Sequence, residues 1–277
     1  MAGGGYMGKA YDIDLTRGTV KDLVVDPNDR KLYLGGKGLA TRLLLDHTEP
    51  GLDPFDERMV LIFATGPVTG SAAPQSNRFV VTTKSPLTGA VGSSTSGGNF
   101  ATKLKQAGVD LILVRGKAEK PVLIKITEEG VAIEDAAHLW GKGAQETQAL
   151  LPKPFGKAVI GPAGENRVRF ASVVSQERIA GRAGTGAVMG SKNLKAIIAN
   201  GKRKMPIHDE EKFRALQKSM TKFLRSHPST GEMLPNLGTA NIVRTAAGRN
   251  ILPVRNFQAG SDHRMKEADW GIRRSSP

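Results

Sequence analysis

The sequence predicts an α+β protein, with a mixed-sheet domain over residues 1–205 and the opening of a helical domain over 206–277. Three observations predict it. Short apolar or alternating runs, each closed by Gly, Pro or Asn, recur through the first 200 residues. Few stretches in that part carry helical spacing. After the basic, proline-closed linker Gly201-Lys-Arg-Lys-Met-Pro the period changes to that of a helix.

Taken in order, Tyr11 to Val25 alternates on either side of Thr16-Arg-Gly-Thr, which predicts a hairpin. In Tyr33-Leu-Gly-Gly-Lys-Gly-Leu the glycines yield to a helix carrying Leu39, Leu43 and Leu44 on one face. Met59-Val-Leu-Ile-Phe-Ala, closed by Gly66-Pro67, reads as a buried strand, and Arg78-Phe-Val-Val-Thr-Thr-Lys as another. A helix follows from Asn99 to Ala107, then a strand from Val109. Val122 to Ile126 and Val131 to Asp135 form a second hairpin, and Ala144 to Leu150 a helix. The runs from Lys157, Val168 and Lys195 complete the strands. Beyond the linker, Asp209 caps a helix reaching Arg225 with Phe213, Leu216, Met220, Phe223 and Leu224 at helical spacing, and Thr239 to Ala247 gives another. The polar tail from Trp270 to Pro277 closes no element.

With 277 residues and 39% hydrophobic content, the chain can bury one or two cores. No apolar run approaches the length of a membrane span, and the start lacks a signal peptide's apolar core, so a cytoplasmic protein is expected. The absence of cysteine excludes disulfides, thiolate nucleophiles and any cysteine-ligated cluster held by these residues alone. A formal charge of +14 favours anionic partners. Aromatics at 5% and basic residues spread along the chain argue against nucleic acid and for a smaller anionic ligand.

Three segments carry ligand chemistry. Gly181 to Lys195 packs four glycines and three cations together. There Gly184 and Gly186 permit close approach of backbone to a phosphate, and Arg182 offers a forked contact. The same glycines would equally serve a tight turn between strands. Gly190-Ser191-Lys192 has the wrong order for a Walker loop, and Met189 stands where a dinucleotide fingerprint needs glycine, although Lys202-Arg-Lys keeps an NADP reading open. Ser93-Ser-Thr-Ser-Gly-Gly is a hydroxyl-rich loop opening a helix, suited to anions or to a plain Ser96 cap. The third segment, Gly70 to Phe79, surrounds Arg78 with small residues. No catalytic side chain stands out: His47 and His138 lack ligand spacing to another histidine, and Glu165 reads as a turn carboxylate.

In order, Phe63-Ala-Thr-Gly-Pro-Val-Thr-Gly, Thr83-Lys-Ser-Pro-Leu-Thr-Gly, Ser96-Gly-Gly, Gly161-Pro-Ala-Gly-Glu-Asn, Gly184-Thr-Gly-Ala-Val-Met-Gly-Ser-Lys-Asn-Leu-Lys-Ala and Asn256-Phe-Gln-Ala-Gly resemble the amino-terminal half of the tungsten-containing aldehyde ferredoxin oxidoreductases. The resemblance implies a two-sheet base for a bis-pterin tungsten or molybdenum cofactor, its phosphates joined through magnesium. It implies cofactor contacts from Arg78, from Thr95, Ser96, Gly97 and Gly98, and from Arg182, Ala183, Gly184, Thr185 and Gly186. Main-chain carbonyls of Thr95 and Ala183 would face the magnesium. Thr95 stands where the family has asparagine, which matters little if only the carbonyl is used.

It further implies aldehyde oxidation by water with electrons passing through a [4Fe-4S] centre to ferredoxin. The cluster ligands and most of the active-site roof of complete members lie beyond the matched blocks. The expectation is therefore a truncated or split enzyme, inactive alone, its missing part either lost or supplied by a separate chain. A non-catalytic pterin-binding or interaction module, and an NADP- or phosphate-ligand protein, are the alternatives.

Overall fold

A computed structural model describes residues 4–262. They divide into two compact units between His208 and Asp209. Unit one holds two mixed six-stranded sheets. The first contains β1 (Lys9–Asp14), β2 (Thr19–Asp22), β3 (Leu61–Thr65), β4 (Phe79–Lys84), β5 (Val91–Ser96) and β6 (Val109–Arg115), in the order β2-β1-β6-β3-β4-β5. The second contains β7 (Val122–Ile126), β8 (Val131–Asp135), β9 (Gly156–Val159), β10 (Val173–Ser175), β11 (Arg178–Ala180) and β12 (Leu194–Ala199), in the order β8-β7-β12-β9-β10-β11.

The two sheets share one topology. In each the six strands run second, first, sixth, third, fourth, fifth, with first and sixth parallel and every other neighbour antiparallel. Helices enter at matching places too. After α1 (Pro27–Tyr33), α2 (Gly36–Asp46) precedes the third strand of the first sheet, and α4 (Ala144–Leu150) precedes that of the second. α3 (Phe100–Gln106) links fifth to sixth strand in the first sheet; α6 (Thr185–Ser191), after the short α5 (Pro162–Glu165), does so in the second.

One apolar core joins the sheets, running from Ile13, Leu61, Phe63 and Leu113 through Phe100 to Ile124, Ile160, Met189 and Ile197. Phe63, Phe79 and Phe100 meet ring to ring at centroid distances of 5.0 to 6.3 Å, within the range of favourable aromatic pairs. β3 and β12 are buried at every position, which suits their largely apolar runs; the one charge, Lys195 of β12, is paired with Glu165. Charges inside this unit are paired or satisfied by main chain. Lys105 Nζ donates to Asp110 at 2.6 Å and to the Gly5 carbonyl, while the Met7 and Gly8 N–H groups donate to the same carboxylate, tying the start of the described chain to β6.

Two expected features differ. Ser93 to Ser96 is strand rather than loop, burying Ser94 and Ser96 and exposing Thr95. The strand expected from Val168 is confined to Val173–Ser175, because Arg167 takes φ 55° and Phe170 turns outward, 68% exposed.

From Asp209 to Arg249 the described residues are mainly helical, and turns with an isolated Val254–Ala259 bridge follow. α7 (Glu210–Ser226) begins with the expected cap, the Asp209 carboxylate accepting from Lys212 N–H at 2.9 Å. None of its residues is buried; Leu216, Met220 and Phe223 are exposed. Short turns α8 (Leu234–Leu237) and α9 (Ile242–Gly248) follow, the latter burying Ala246 and Ala247. The tail from Trp270 lies outside the described residues.

Candidate functional site: a cavity at the seam of the two sheets

The edge strands β5 and β11 and their flanks approach each other where the sheets meet. A Cβ on Gly92 would lie 2.4 Å from the Ala183 Cβ, and Arg182 N–H donates to Ser94 Oγ at 3.0 Å. A Cβ on Gly97 would sit 3.5 Å from Arg178 Cγ, and one on Gly98 only 2.5 Å from Ser175 Oγ and 2.8 Å from the Ser175 carbonyl. As numbers rise along one chain they fall along the other, so the seam runs antiparallel. Gly98, at φ +91°, admits no side chain there on either count.

A cavity of about 590 Å3 opens at the Gly97–Gly98 end, lined by Gln75, Asn77, Arg78, Thr95 to Gly98, Glu177, Arg178 and Ile179. Strand register explains the lining. β4 pairs with β5 so that Phe79 faces Ser96, which carries Arg78 and Gly97 to the same open end of their hairpin. Opposite, Ser175 pairs with Arg178, so the two-residue loop Gln176-Glu177 and the first residues of β11 form the other wall. Asn77 is held by a hydrogen bond from Thr102 of α3.

Two features mark this cavity as a place for an anion. No ion pair joins Arg78 or Arg178 to another described residue, so both guanidinium groups stay available. In its lining Ser96 is 2% exposed and its Oγ has no hydrogen-bond partner; Ser175 Oγ, packed against Gly98, and Asn99 Oδ1 also lack one but lie outside the lining. Buried polar atoms are normally satisfied, and an orphaned hydroxyl on a residue of the cavity lining is what a bound polar group would complete.

The structure thus brings Arg78, Thr95, Ser96, Gly97 and Gly98 together, and adds Arg178, Glu177 and Ile179, which the sequence reading did not select. Arg182 to Gly186 stand outside this lining. Arg182 is exposed beside Ser94, and Ala183 packs on Gly92, three residues and roughly 10 Å along β5 from Thr95. The glycines of this run meet backbone: a Cβ at Gly184 would lie 2.1 Å from the Arg169 carbonyl oxygen, at Gly186 2.4 Å from that of Ser172, and at Gly190 1.9 Å from that of Gly164. α6 is buried at all seven positions, and Thr185 Oγ1 has no partner.

Other titratable groups are structural. Glu165 forms a buried ion pair with Lys195 and accepts from Gly141 N–H at 2.9 Å. His47 ends α2 and His138 is exposed in a single turn. Lys192, which ends α6, donates to the Glu57 and Gly116 carbonyls at 3.1 and 3.2 Å, and burial pushes its ammonium down to about 8. Among the described residues no group of three or more His, Cys, Asp or Glu is placed to hold a metal, and no helix is long and apolar enough to cross a membrane.

Comparison with known proteins fits this architecture. Residues 10–201 match the model of the aldehyde ferredoxin oxidoreductase N-terminal domain. The tungsten-containing aldehyde ferredoxin oxidoreductase of Pyrococcus horikoshii is 45% identical over 262 residues, covering 92% of this chain and 43% of that protein. The aliphatic sulfonate oxidoreductase WOR-like subunit of Pyrococcus furiosus is 36% identical over 275 residues, with 91% and 43% covered. Among solved structures, the active-site complex BamBC of benzoyl coenzyme A reductase with 1,5-dienoyl-CoA superposes with TM-score 0.78 at 38% identity, over 80% of this chain and 35% of that one. The chain spans less than half the length of these relatives. Through its two-sheet unit it belongs to the aldehyde ferredoxin oxidoreductase family, as an N-terminal domain of that family.

Proposed function

We propose that this chain is the cofactor-binding base of a bis-pterin tungsten or molybdenum oxidoreductase of the aldehyde ferredoxin type. The observation that carries the reading is the seam cavity, with two unpaired arginines above an unpartnered buried serine, in a chain 45% identical to tungsten-containing enzymes. The donor set fits such a group. Arg78 and Arg178 would hold its phosphates through their guanidinium groups, and the Ser96 hydroxyl would gain the partner it lacks, beside the Gly97-Gly98 turn. A cofactor with two pterin halves also suits a base built from two like-ordered sheets.

When bound, that group supplies the two-electron oxidation of an aldehyde and water to a carboxylic acid and two protons, with the electrons leaving singly toward ferredoxin. This chain's part is to bind and orient. Magnesium would be held by the main-chain carbonyls of Thr95, which lines the cavity, and Ala183, which packs on Gly92 further along the seam. A [4Fe-4S] centre needs ligands from outside these cysteine-free residues, so ferredoxin reduction requires a further polypeptide segment, and the chain alone does not turn over. The relatives' names span aldehydes, aliphatic sulfonates and a dienoyl-CoA, so the base is common to them and the substrate is chosen elsewhere.

Anaerobic purification with tungstate or molybdate, followed by elemental analysis and pterin fluorescence, tests this. Metal and pterin should co-purify with the wild-type chain and fall in Arg78→Ala and Arg178→Ala, without aldehyde-dependent dye reduction. Absence of both from the wild type would sink the binding claim, and dye reduction with stoichiometric metal would sink the claim of inactivity.

A further inference from the structure

The arginine-bearing wall of the cavity hangs on a loop whose main chain is satisfied by a distant side chain. Gln176 starts the two-residue turn between β10 and β11 and takes φ 55°, a left-handed conformation disfavoured for any residue with a Cβ. The carboxamide of Gln148 in α4 meets its peptide groups at two points. Gln176 N–H donates to Gln148 Oε1 at 2.6 Å, and Gln148 Nε2 donates to the Gln176 carbonyl at 3.2 Å. A primary amide offers acceptor and donor side by side, as a neighbouring strand would, and a carboxylate cannot do both.

Gln148 is itself fixed. Lys157 of β9 donates through Nζ to the main-chain carbonyls of Gln148 at 2.6 Å and Leu151 at 2.9 Å, tying the end of α4 to the sheet. A continuous path therefore runs from β9 through Lys157, α4 and the Gln148 carboxamide to Gln176, and from there in two residues to Arg178 in the cavity. Strained turns held by surrounding contacts are common where a fixed geometry serves function.

We propose that Gln148 is a positioning residue for the anion site: it touches no ligand, but fixes the turn that aims Glu177 and Arg178 at the cavity. The proposal rests on the reading of that cavity as a phosphate-binding site. Holding the turn before binding lowers the ordering cost of Arg178 and so raises affinity.

The test uses the full chain with inorganic pyrophosphate as probe, by calorimetry at low salt, together with amide hydrogen exchange at residues 176–179. Gln148→Ala should weaken pyrophosphate about five-fold and speed exchange at those amides, with the thermal midpoint moving by less than about 3 °C. The isosteric Gln148→Glu, which loses the donor, should do the same and covers the case in which the alanine variant folds poorly. In a double-variant cycle, Gln148→Ala should add almost nothing to the loss caused by Arg178→Ala. Unchanged affinity in both Gln148 variants while Arg178→Ala binds poorly, or fully additive losses, would overturn the positioning role and leave the site reading standing. Wild-type affinity in Arg78→Ala and Arg178→Ala would instead remove the site reading, and the proposal with it.

Discussion

Two glycine-rich segments occupy the same place in the repeated topology, each leaving a fifth strand to open the helix that leads to a sixth. Ser96-Gly97-Gly98 leads into α3 and borders the cavity. Gly181 to Gly186 leads into α6, and three glycines of that run and helix press on the backbone of Gly164, Arg169 and Ser172. Both look in sequence like phosphate cradles. Glycine reports that something must come close, and in both segments protein does: Ser175 and Arg178 at Gly98 and Gly97, backbone at Gly184, Gly186 and Gly190; the difference is that only the first segment also borders an open cavity.

The comparison breaks first at Gly190. A methyl there would stand 1.9 Å from the Gly164 carbonyl oxygen and 2.5 Å from its carbon, with helix α6 and the α5 turn both needing to shift. Overpacking of this kind costs about 3 kcal/mol. Gly190→Ala should lose roughly that much in urea unfolding; stability equal to the wild type would show that the second segment is not committed to packing.

A smaller effect concerns Lys192 at the end of the same helix, whose side chain is buried. Burial lowers its pKa to about 8 in the folded state against the ordinary 10.5, so below pH 8 both states carry the proton and the folded state bears the burial penalty. Between about 8 and 10.5 the unfolded state holds more protons, and stability rises with pH by at most about 3 kcal/mol, levelling above. Lys192→Met should flatten that rise in unfolding curves taken at pH 7, 9 and 10.5. The same slope in both proteins would mean that the helix end is not the desolvated anchor its two carbonyl contacts describe.

These differences explain what the sequence made legible. Strands such as Leu61–Thr65 and the β7–β8 hairpin announce themselves through apolar runs and alternation, and α7 through its spaced Phe, Leu and Met. α6 does not, because a seven-residue helix buried all round has no polar face to set a period. β5 hides behind hydroxyls: Ser94 and Ser96 are inward and Thr95 outward, an alternation without hydrophobic contrast. Arg78 was readable because small residues crowd a cation, and Gly97-Gly98 because a glycine pair follows a hydroxyl run, although that run is strand rather than the expected loop. Arg178 was not, since its place depends on a three-residue strand crossing to another sheet, and its only sequence sign is an arginine two residues after a Gln at a hairpin tip. The common topology of the sheets is likewise invisible in residues that do not repeat.

The smallest expected change is the sharpest discriminator. A Cβ on Gly97 would meet only the Arg178 stem, 3.5 Å from Cγ and 4.0 Å from Cβ and Cδ, which is ordinary contact with a side chain able to move. Its φ lies outside the left-handed region, so alanine is unstrained there and narrows the unfolded ensemble. Gly97→Ala should therefore stay within about 0.5 kcal/mol of the wild type, against about 3 for Gly190→Ala. Yet the methyl would narrow the cavity wall and restrict the Arg178 stem packed on it, and pyrophosphate affinity should fall two- to three-fold, about 0.5 kcal/mol. A large stability loss with unchanged affinity would reverse the assignment, placing the packing glycine at the cavity and leaving the ligand to the other segment.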